Sequence, residues 1–238
     1  MNQDYIKPDE WSIIEEEFDA GRVKSSESLF SIGNGAMGQR ANFEEQYSGP
    51  SFQGSYIGGV YYPDKTKVGW WKNGYPEYFA KVLNAPNWIG INVFVNEEPL
   101  DLFNCKSVKN FRRELNMKEG TLSRSFEAEL PNGIEVEVKA LRFVSIVEDE
   151  LGAIKFEVTP LNQDAEIRFD PYLDGSITNT DANWEERFWK TLEVKEDSER
   201  GYIVSKTLKT GFHVGTFMQS EILLNNEKVA TEATSSVG

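Results

Sequence analysis

Apolar and polar residues alternate with a period of two over much of this chain. Residues 125–130 and 134–140 each carry apolar or small side chains at every second position, with serine, glutamate or lysine between them. A Pro-Asn-Gly sequence at 131–133 separates the two runs and is typical of a turn. Since successive strand side chains point to opposite faces, the pattern predicts a hairpin with one buried and one solvated face.

Further short runs with the same period indicate more strands. The predicted pairs are 91–95 with 100–103 around a reversal at 96–99, 154–158 with 167–169, and 192–195 with 202–205, and one or two further strands are expected in 212–224. No segment shows a helical stripe over three turns. The best helix candidates, 76–83 and 181–189, are short and interrupted.

The many short strands without alternating helices favour an all-β fold, a large antiparallel two-sheet sandwich. Two segments, 61–79 and 174–188, interrupt the strand pattern and are predicted to be long loops, where binding sites commonly lie. We expect the sandwich domain to span residues 1–224. Residues 225–238 are expected to form a polar tail or the start of a linker.

Charge and cysteine content exclude several classes of function. The chain has 238 residues, of which 39 are acidic and 25 basic, giving a net charge of −14. This charge repels nucleic acids and anionic membranes, which are therefore not expected as partners. The single cysteine, Cys105, excludes an internal disulfide framework and a thiolate zinc cluster. With no signal-peptide core and no apolar stretch of about 18 residues, we predict a cytoplasmic protein.

The glycines Gly33, Gly35 and Gly38 spell G-x-G-x-x-G after an expected strand. In dinucleotide-binding proteins the third glycine of this motif opens a helix, and an acidic residue follows about 20 positions later. Here the following residues are broken by Gly49, Pro50 and Gly54, so no crossover helix fits. We interpret the glycines as a turn between two strands and reject a nucleotide site.

Several segments are similar, in order, to landmarks of one enzyme family. They are Trp11 with Phe18 and Asp19, then residues 27–40, 54–61, 83–88, 141–145, 159–162 and 173–179. The similarity covers most of the chain up to about residue 183. The chain thus resembles the N-terminal part of glycoside hydrolase family 65, the maltose, trehalose and kojibiose phosphorylases.

This resemblance implies a galactose-mutarotase-like sandwich that precedes a helical barrel. In the family, the glutamate that protonates the leaving oxygen and the phosphate-binding loop both lie in that C-terminal barrel. The resemblance therefore implies no catalytic residue in this chain, which alone is expected to be inactive. The implied partners are its own barrel, an α-glucosyl disaccharide and phosphate in the full-length protein, and a second subunit in a homodimer. No cofactor is implied.

Seven residues are candidates for contact with the barrel or a sugar. Asn34 would accept a positive φ in its turn, and Arg40 would offer its guanidinium, to hold a strand edge against the barrel. The other candidates are aromatic or polar loop residues, namely Trp70, Trp71, Trp88, Asp174 and Asn179. Asp174 and Asn179, with Asp181 and Asn183, are interpreted as a polar turn network because an Asp-x-Asp-x-Asp-Gly calcium loop is missing. No metal site is predicted.

Two other functions remain open from the sequence. A stand-alone carbohydrate-binding module could use the tryptophans, since sugars stack on aromatic rings. An aldose epimerase needs acid and base groups, and His213, the only histidine, is expected on the wetter face of its strand. The acidic runs 15–17 and 44–45 are interpreted as solvated edges rather than carboxylate sites.

Overall fold

The computed structural model of this protein describes residues 5–66, 74, 76–179, 187–197 and 199–231. Over these residues it is built mainly from strands, with one short helix, α1 (Val23–Leu29). The strands are β1 (Ile6–Pro8), β2 (Ser12–Glu16), β3 (Ile32–Gly33), β4 (Met37–Gln39), β5 (Ser55–Ile57), β6 (Tyr61–Lys65), β7 (Tyr78–Val82), β8 (Ile91–Val95), β9 (Glu98–Pro99), β10 (Ser107–Asn116), β11 (Thr121–Glu129), β12 (Glu135–Val144), β13 (Gly152–Pro160), β14 (Ile167–Pro171), β15 (Trp189–Glu196), β16 (Arg200–Thr207), β17 (His213–Gln219), β18 (Leu223–Leu224) and β19 (Glu227–Lys228). The strand pairs whose register is described are antiparallel, which confirms the predicted fold class.

Contacts divide the chain into two compact units, each made of two stretches of sequence. Unit 1 consists of Met1–Gly54 and Ile89–Tyr172, and unit 2 of Ser55–Trp88 and Leu173–Gly238. The expected domain end at residue 224 falls inside the β18–β19 hairpin of unit 2, in which Leu224 pairs with Glu227.

Unit 1 contains a six-stranded sheet in the order β1-β2-β10-β11-β12-β13 and a three-stranded sheet in the order β14-β8-β9. The hairpin predicted from residues 125–140 is confirmed as β11 and β12, with Phe126 opposite Val138. Its turn closes because Gly133 takes a φ of 85° and the Asn132 side chain accepts a hydrogen bond from the Ile134 amide at 3.1 Å.

The main core of unit 1 forms from the alternate apolar positions of these strands. Val95 of β8, Phe126 of β11 and Val136 and Val138 of β12 are each at most 1% exposed. Burying a side chain of this size contributes about 1.5–3 kcal/mol relative to leaving it in water. Lys139, which alternates with the buried valines of β12, lies on the solvated face as the period predicts.

Unit 2 contains the sheet β15-β16-β17, which confirms the pair predicted from 192–195 and 202–205. Its core is a cluster of buried apolar side chains, namely Tyr62, Leu83, Phe188, Trp189 and Val214. The indole nitrogen of Trp189 donates to the carbonyl oxygen of Asn84 at 2.7 Å, so the polar group of this buried ring is satisfied.

The helix candidate 76–83 is wrong, and residues 181–186 of the candidate 181–189 lie outside the described residues. Residues 76–83 contain strand β7, and Trp189, at the end of the second candidate, begins β15. The one helix among the described residues is α1, whose buried residues are Val23, Ser26 and Glu27. Because two of these three are polar, the inward face of α1 carries no apolar stripe that could reveal it.

One predicted strand pair is wrong and another is displaced. β13 pairs with β12, and β14 pairs with β8, so the runs 154–158 and 167–169 do not pair with each other. The chain reverses after β8 at Asn96 and Glu97, which have positive φ values of 49° and 63°, and returns as β9 rather than as 100–103. Periodicity identifies the buried face of a strand but not its neighbour, which explains both errors.

The predicted loop 61–79 is also wrong at its ends. Tyr61–Lys65 and Tyr78–Val82 pair as β6 and β7, with Tyr61 opposite Val82. Residues 67–73 and 75, between these strands, lie outside the described residues.

Candidate functional site: a buried arginine–glutamate cluster

Three arginines point into the interior from the six-stranded sheet of unit 1. Arg113 of β10, Arg124 of β11 and Arg142 of β12 are 2%, 6% and 0% exposed. Arg113 and Arg124 stand directly opposite each other, and Arg142 is opposite Leu122, two positions along β11. Like charges this close in a buried sheet face repel, so the fold requires anions beside them.

Three glutamates supply that charge. Glu15 of β2 is the cross-strand partner of Arg113, while Glu44 and Glu45 follow β4 in the segment 40–54. Their side chains are between 0% and 4% exposed. We name the six side chains Arg113, Arg124, Arg142, Glu15, Glu44 and Glu45 the arginine–glutamate cluster. Its formal charges cancel, three against three.

Glu44 joins two of the arginines. Its Oε2 lies 2.7 Å from Arg124 Nη2, and its Oε1 lies 2.9 Å from Arg142 Nη1. The two carboxylate oxygens of Glu45 accept hydrogen bonds from the two terminal nitrogens of Arg124, which makes a bidentate pair. Arg142 Nη1 also donates to the carbonyl oxygen of Asn42 at 3.3 Å. These charge-assisted bonds fasten the segment 40–45 to β11 and β12.

Arg113 is satisfied less completely. Its Nη1 lies 3.5 Å from Glu15 Oε2, and neither atom has a hydrogen-bond partner among the described residues. The guanidinium lies instead near the rings of Phe43, Phe111 and Phe30, at 5.1, 5.6 and 5.7 Å from their centroids. Burial lowers the pKa of Arg113 to about 10, while the charge of Glu15 opposes this shift.

A further buried carboxylate, Glu27 of α1, is satisfied by neutral donors. It accepts hydrogen bonds from Asn42 Nδ2 at 2.9 Å, from the Phe52 amide at 2.7 Å and from the Ser51 hydroxyl. Its neighbour Ser26 donates to Glu15 Oε1 at 2.7 Å. The helix therefore anchors both the segment 40–54 and the cluster, which explains why its buried face is polar.

A small cavity borders the cluster. Its volume is about 10 Å³, and it is lined by Ala41, Asn42, Glu44, Arg113, Leu122, Arg124 and Ala140. This volume admits at most one water molecule, whereas pockets for small molecules measure about 300–1,000 Å³. A sugar does not fit there, so the geometry of the cluster is that of a structural core.

Glu44 makes the stability of the chain depend on pH. Burial raises its pKa, but Arg142 and Arg124 outweigh burial, so its pKa lies below the ordinary value of 4.5. The folded state then binds fewer protons than the unfolded state. The stabilisation from ionised Glu44 is therefore present above pH 4.5 and is lost as the pH falls through the folded pKa.

We expect the urea concentration at the midpoint of unfolding to fall as the pH is lowered below 4.5, and to fall less in Glu44→Gln. The exposed-residue control Glu119→Gln should keep the wild-type slope, and equal slopes in all three proteins would refute this role of Glu44.

The prediction of solvated edges is wrong for Glu15, Glu44 and Glu45. Each is buried because an arginine of the six-stranded sheet needs a counter-charge. A signal for this was present in the sequence. Arg124 is in phase with the buried Phe126, and Arg142 is in phase with the buried Ala140, so the period-two pattern places both arginines inside.

Asn34 lies in the β3–β4 turn, but the positive φ of 95° falls on Gly35, so the prediction of a positive φ at Asn34 is wrong. The side-chain oxygen of Asn34 accepts hydrogen bonds from two amides of its own turn. Its nitrogen donates to the carbonyl oxygens of Ser145 at 2.6 Å and Asp149 at 2.8 Å. Asn34 therefore fastens this turn to the β12–β13 turn, a contact that no local pattern indicates.

Arg40 lies where β4 ends and the segment 40–54 begins. Its Nη2 donates to the Lys24 carbonyl oxygen at 3.1 Å, and its Nε has no hydrogen-bond partner among the described residues. The contact links this segment to α1. Whether Arg40 also supports a barrel stays a prediction.

The polar candidates of unit 2 contact the backbone of neighbouring segments. Asn179 accepts a hydrogen bond from the Asn84 amide at 3.0 Å and donates to the Val82 carbonyl oxygen at 2.9 Å. Asp174 pairs with Asn87 in an isolated bridge, and its side chain accepts from the Ser176 amide at 2.8 Å. These are contacts of a turn network. Asp181 and Asn183 lie outside the described residues, within which no group of three metal-ligating acidic, histidine or cysteine side chains occurs.

Of the tryptophan candidates, only Trp88 is described. It is half-buried, and its indole nitrogen has no hydrogen-bond partner among the described residues. Trp70 and Trp71 lie outside these residues, so their contact with a sugar or a barrel stays a prediction.

The chain has one cysteine and one histidine, residue types that commonly act as a nucleophile and as an acid or base. Cys105 is partly buried, and burial, with the charges of Asp101 and Glu45, raises the pKa of its thiol to about 12. It is therefore protonated at neutral pH and a poor nucleophile. His213 lies on the exposed face of β17, beside the buried Val214, which confirms the expected orientation of that strand.

Comparisons with known proteins agree on one family. The sequence profile described as glycosyl hydrolase family 65, N-terminal domain, matches residues 13–237. The chain is 46% identical over 217 residues to the maltose phosphorylase of Bacillus subtilis (strain 168). The matched region covers 91% of this chain and 28% of that protein. It is 34% identical over 219 residues to the α,α-trehalose phosphorylase of Thermoanaerobacter brockii, covering 86% of this chain and 28% of that protein.

A solved structure has the same fold. It comes from the human microbiome, is described as a candidate kojibiose phosphorylase, and matches with a TM-score of 0.77 at 24% identity over 97% of this chain and 31% of that chain. This chain spans 28% of the length of the two curated relatives named above. Among the described residues, no helix is long and apolar enough to cross a membrane. On the profile match and the identity to curated phosphorylases, the chain belongs to glycosyl hydrolase family 65 and represents the N-terminal domain of that family.

Proposed function

We propose that this chain is the non-catalytic N-terminal domain of a maltose-type phosphorylase. The observation that carries the proposal is its 46% identity to a maltose phosphorylase, against 34% to a trehalose phosphorylase. The parent protein cleaves an α-glucosyl disaccharide with inorganic phosphate and inverts the anomeric centre. In it, this domain supports a C-terminal catalytic barrel and the assembly of a homodimer.

The chemistry of the buried carboxylates supports a scaffold role. Inverting cleavage of a glycoside requires a carboxylic acid with a raised pKa beside a pocket that holds the sugar. Glu44 has the opposite property, a lowered pKa, because Arg142 and Arg124 hold it ionised against the effect of burial. Glu45 is paired with Arg124, and Glu27 is saturated by neutral donors. Each of these carboxylates therefore stabilises packing.

The same proposal assigns the partners. They are the barrel of the parent protein, its disaccharide and phosphate, and a second subunit. Nucleic acids and membranes are not partners, which the net charge of −14 supports. The parent protein acts in the cytoplasm.

The isolated chain, incubated with maltose and inorganic phosphate, is expected to release no glucose phosphate. Parallel reactions with trehalose and kojibiose should also remain at the blank, because the domain supplies no proton donor. Bacillus subtilis maltose phosphorylase serves as the positive control in the same assay. Release of glucose phosphate by the isolated chain in any reaction would contradict the non-catalytic role.

The substrate of the parent protein is tested separately. Its kcat/KM for phosphorolysis of maltose should exceed that for trehalose and kojibiose by at least about tenfold, a ratio that one or two pocket contacts can supply. A higher kcat/KM for trehalose or kojibiose would contradict the maltose assignment and leave the scaffold role untouched.

A further inference from the structure

The turn between β12 and β13 exposes two aliphatic side chains at its tip. Ile146 and Val147 are 84% and 89% exposed. Turn tips usually carry glycine, proline, asparagine, aspartate or serine. Two adjacent β-branched side chains in water forgo the free energy that their burial would provide.

This turn is held in one conformation. Asn34 donates to the carbonyl oxygens of Ser145 and Asp149 at 2.6 and 2.8 Å. The Ser145 hydroxyl accepts hydrogen bonds from the amides of Val147 and Glu148 at 3.2 and 3.0 Å. Because the backbone is already ordered, docking of the tip costs little conformational entropy.

More exposed apolar side chains lie at the same end of the six-stranded sheet. β12 ends and β11 begins at this end, since Phe143 is opposite Thr121. The end of β10 and the start of β2 lie there too, where the Met117 amide donates to the Trp11 carbonyl oxygen at 2.8 Å. From β2 to β13 the row of strands is about 19 Å wide at the usual spacing. We name the exposed side chains of this end the apolar rim, namely Trp11, Met117, Phe143, Ile146, Val147 and Leu151.

Charge argues against a second copy of the chain as the occupant of the rim. Glu148, Asp149 and Glu150 are exposed in the same turn, within a chain of net charge −14. In a two-fold dimer contact each surface patch meets its own copy, so two acidic turns would face each other. A suitable partner has an apolar surface bordered by basic side chains.

We propose that the apolar rim docks on the C-terminal part of the parent phosphorylase, at an apolar surface bordered by basic side chains. This inference rests on the proposed function. The chain covers 28% of the maltose phosphorylase that it matches, so most of the surface available to cover the rim lies outside it. Docking buries the aliphatic tip, and the acids beside it pair with the basic border.

The test is the double substitution Ile146→Ser/Val147→Ser, made in the isolated chain and in the full-length parent. In the isolated chain both side chains contact mainly water, so the unfolding midpoint should stay within about 1 °C of wild type. In the parent the midpoint of this domain should fall by about 5 °C, because the two side chains are buried there. The control Leu208→Ser/Leu224→Ser replaces two residues outside the rim that are 55% and 66% exposed, and it should leave both midpoints unchanged.

Hydrogen exchange provides a second readout. Residues 145–151 should exchange at least about tenfold more slowly in the parent than in the isolated chain. Equal exchange and an unchanged parent midpoint would overturn the proposal. A concentration-dependent dimer of the isolated chain that Ile146→Ser/Val147→Ser abolishes would also overturn it, since a second copy would then occupy the rim. These readouts do not involve turnover, so a parent without activity on maltose would refute the proposed function alone.

Discussion

Replacing Arg124 by methionine is expected to lower the free energy of unfolding of this chain by about 3–5 kcal/mol, the usual cost of breaking a buried ion pair from one side. Arg124 accounts for both arginine contacts of Glu45 and for one of the two arginine contacts of Glu44. Methionine fills part of the volume but leaves Glu45 inside the protein without a counter-charge. Urea denaturation at neutral pH measures the loss.

Arg168→Met is the matched control for this substitution. Arg168 pairs with Glu97 and Asp170, but its side chain is 43% exposed and both partners are accessible to water. Exposed pairs contribute about 0–1 kcal/mol, so the control should be close to wild type. A loss below about 1 kcal/mol for Arg124→Met, or equal losses for the two variants, would contradict a structural role for the cluster.

Replacing Glu27 by alanine is expected to lower the free energy of unfolding by about 2–4 kcal/mol, because several buried donors lose a charged acceptor at once. The Phe52 amide and Asn42 Nδ2, at 2.7 and 2.9 Å from the carboxylate, are among them. The amide of Phe52 should also exchange its hydrogen faster in the variant, and this can be followed by NMR in otherwise folded protein.

Glu119→Ala serves as the control for Glu27→Ala, since Glu119 lies exposed in the β10–β11 turn. It should change stability by no more than about 0.5 kcal/mol. If exchange of the Phe52 amide were the same in Glu27→Ala and wild type, the carboxylate would not be the acceptor that holds the segment 40–54.

Strand positions and the fold class could be predicted because the buried and solvated faces of a strand give alternating apolar and polar residues in the sequence. The hairpin of β11 and β12 is the clearest case, with Phe126 and Val138 opposite each other and charged residues on the outer face. Strand partners could not be predicted in the same way. β14 pairs with β8, about 70 residues earlier in the chain, and nothing in the local pattern of either strand specifies the other.

For the arginine–glutamate cluster, the sequence indicates the inward position of two arginines but not the glutamates that pair with them. The phase of Arg124 and Arg142 within β11 and β12 marks them as inward residues, although a charged residue is rarely placed inside unless paired. Their partners come from the segment 40–54, which has little regular structure and therefore no period. Glu45 reaches Arg124 across 79 positions of sequence, a contact that only the folded chain defines.

Residues 27–40, one of the segments that resemble the family, have a structural explanation in these contacts. They include Glu27, which holds Phe52, and Arg40, which donates to Lys24. Asn34, in the middle, ties the β3–β4 turn to the β12–β13 turn. The motif residues thus connect distant parts of unit 1, in keeping with a scaffold rather than a site of reaction.

The claim that the cluster is a closed structural unit, and not a site for sugar or phosphate, is tested most directly by NMR. The side-chain Nε–H signals of Arg113, Arg124 and Arg142 would be followed in the ¹⁵N-labelled chain while maltose, and separately inorganic phosphate, is added to millimolar concentration. A cavity of about 10 Å³ admits neither molecule, so the three signals should not move. A saturable shift of any of them with either ligand would contradict the claim.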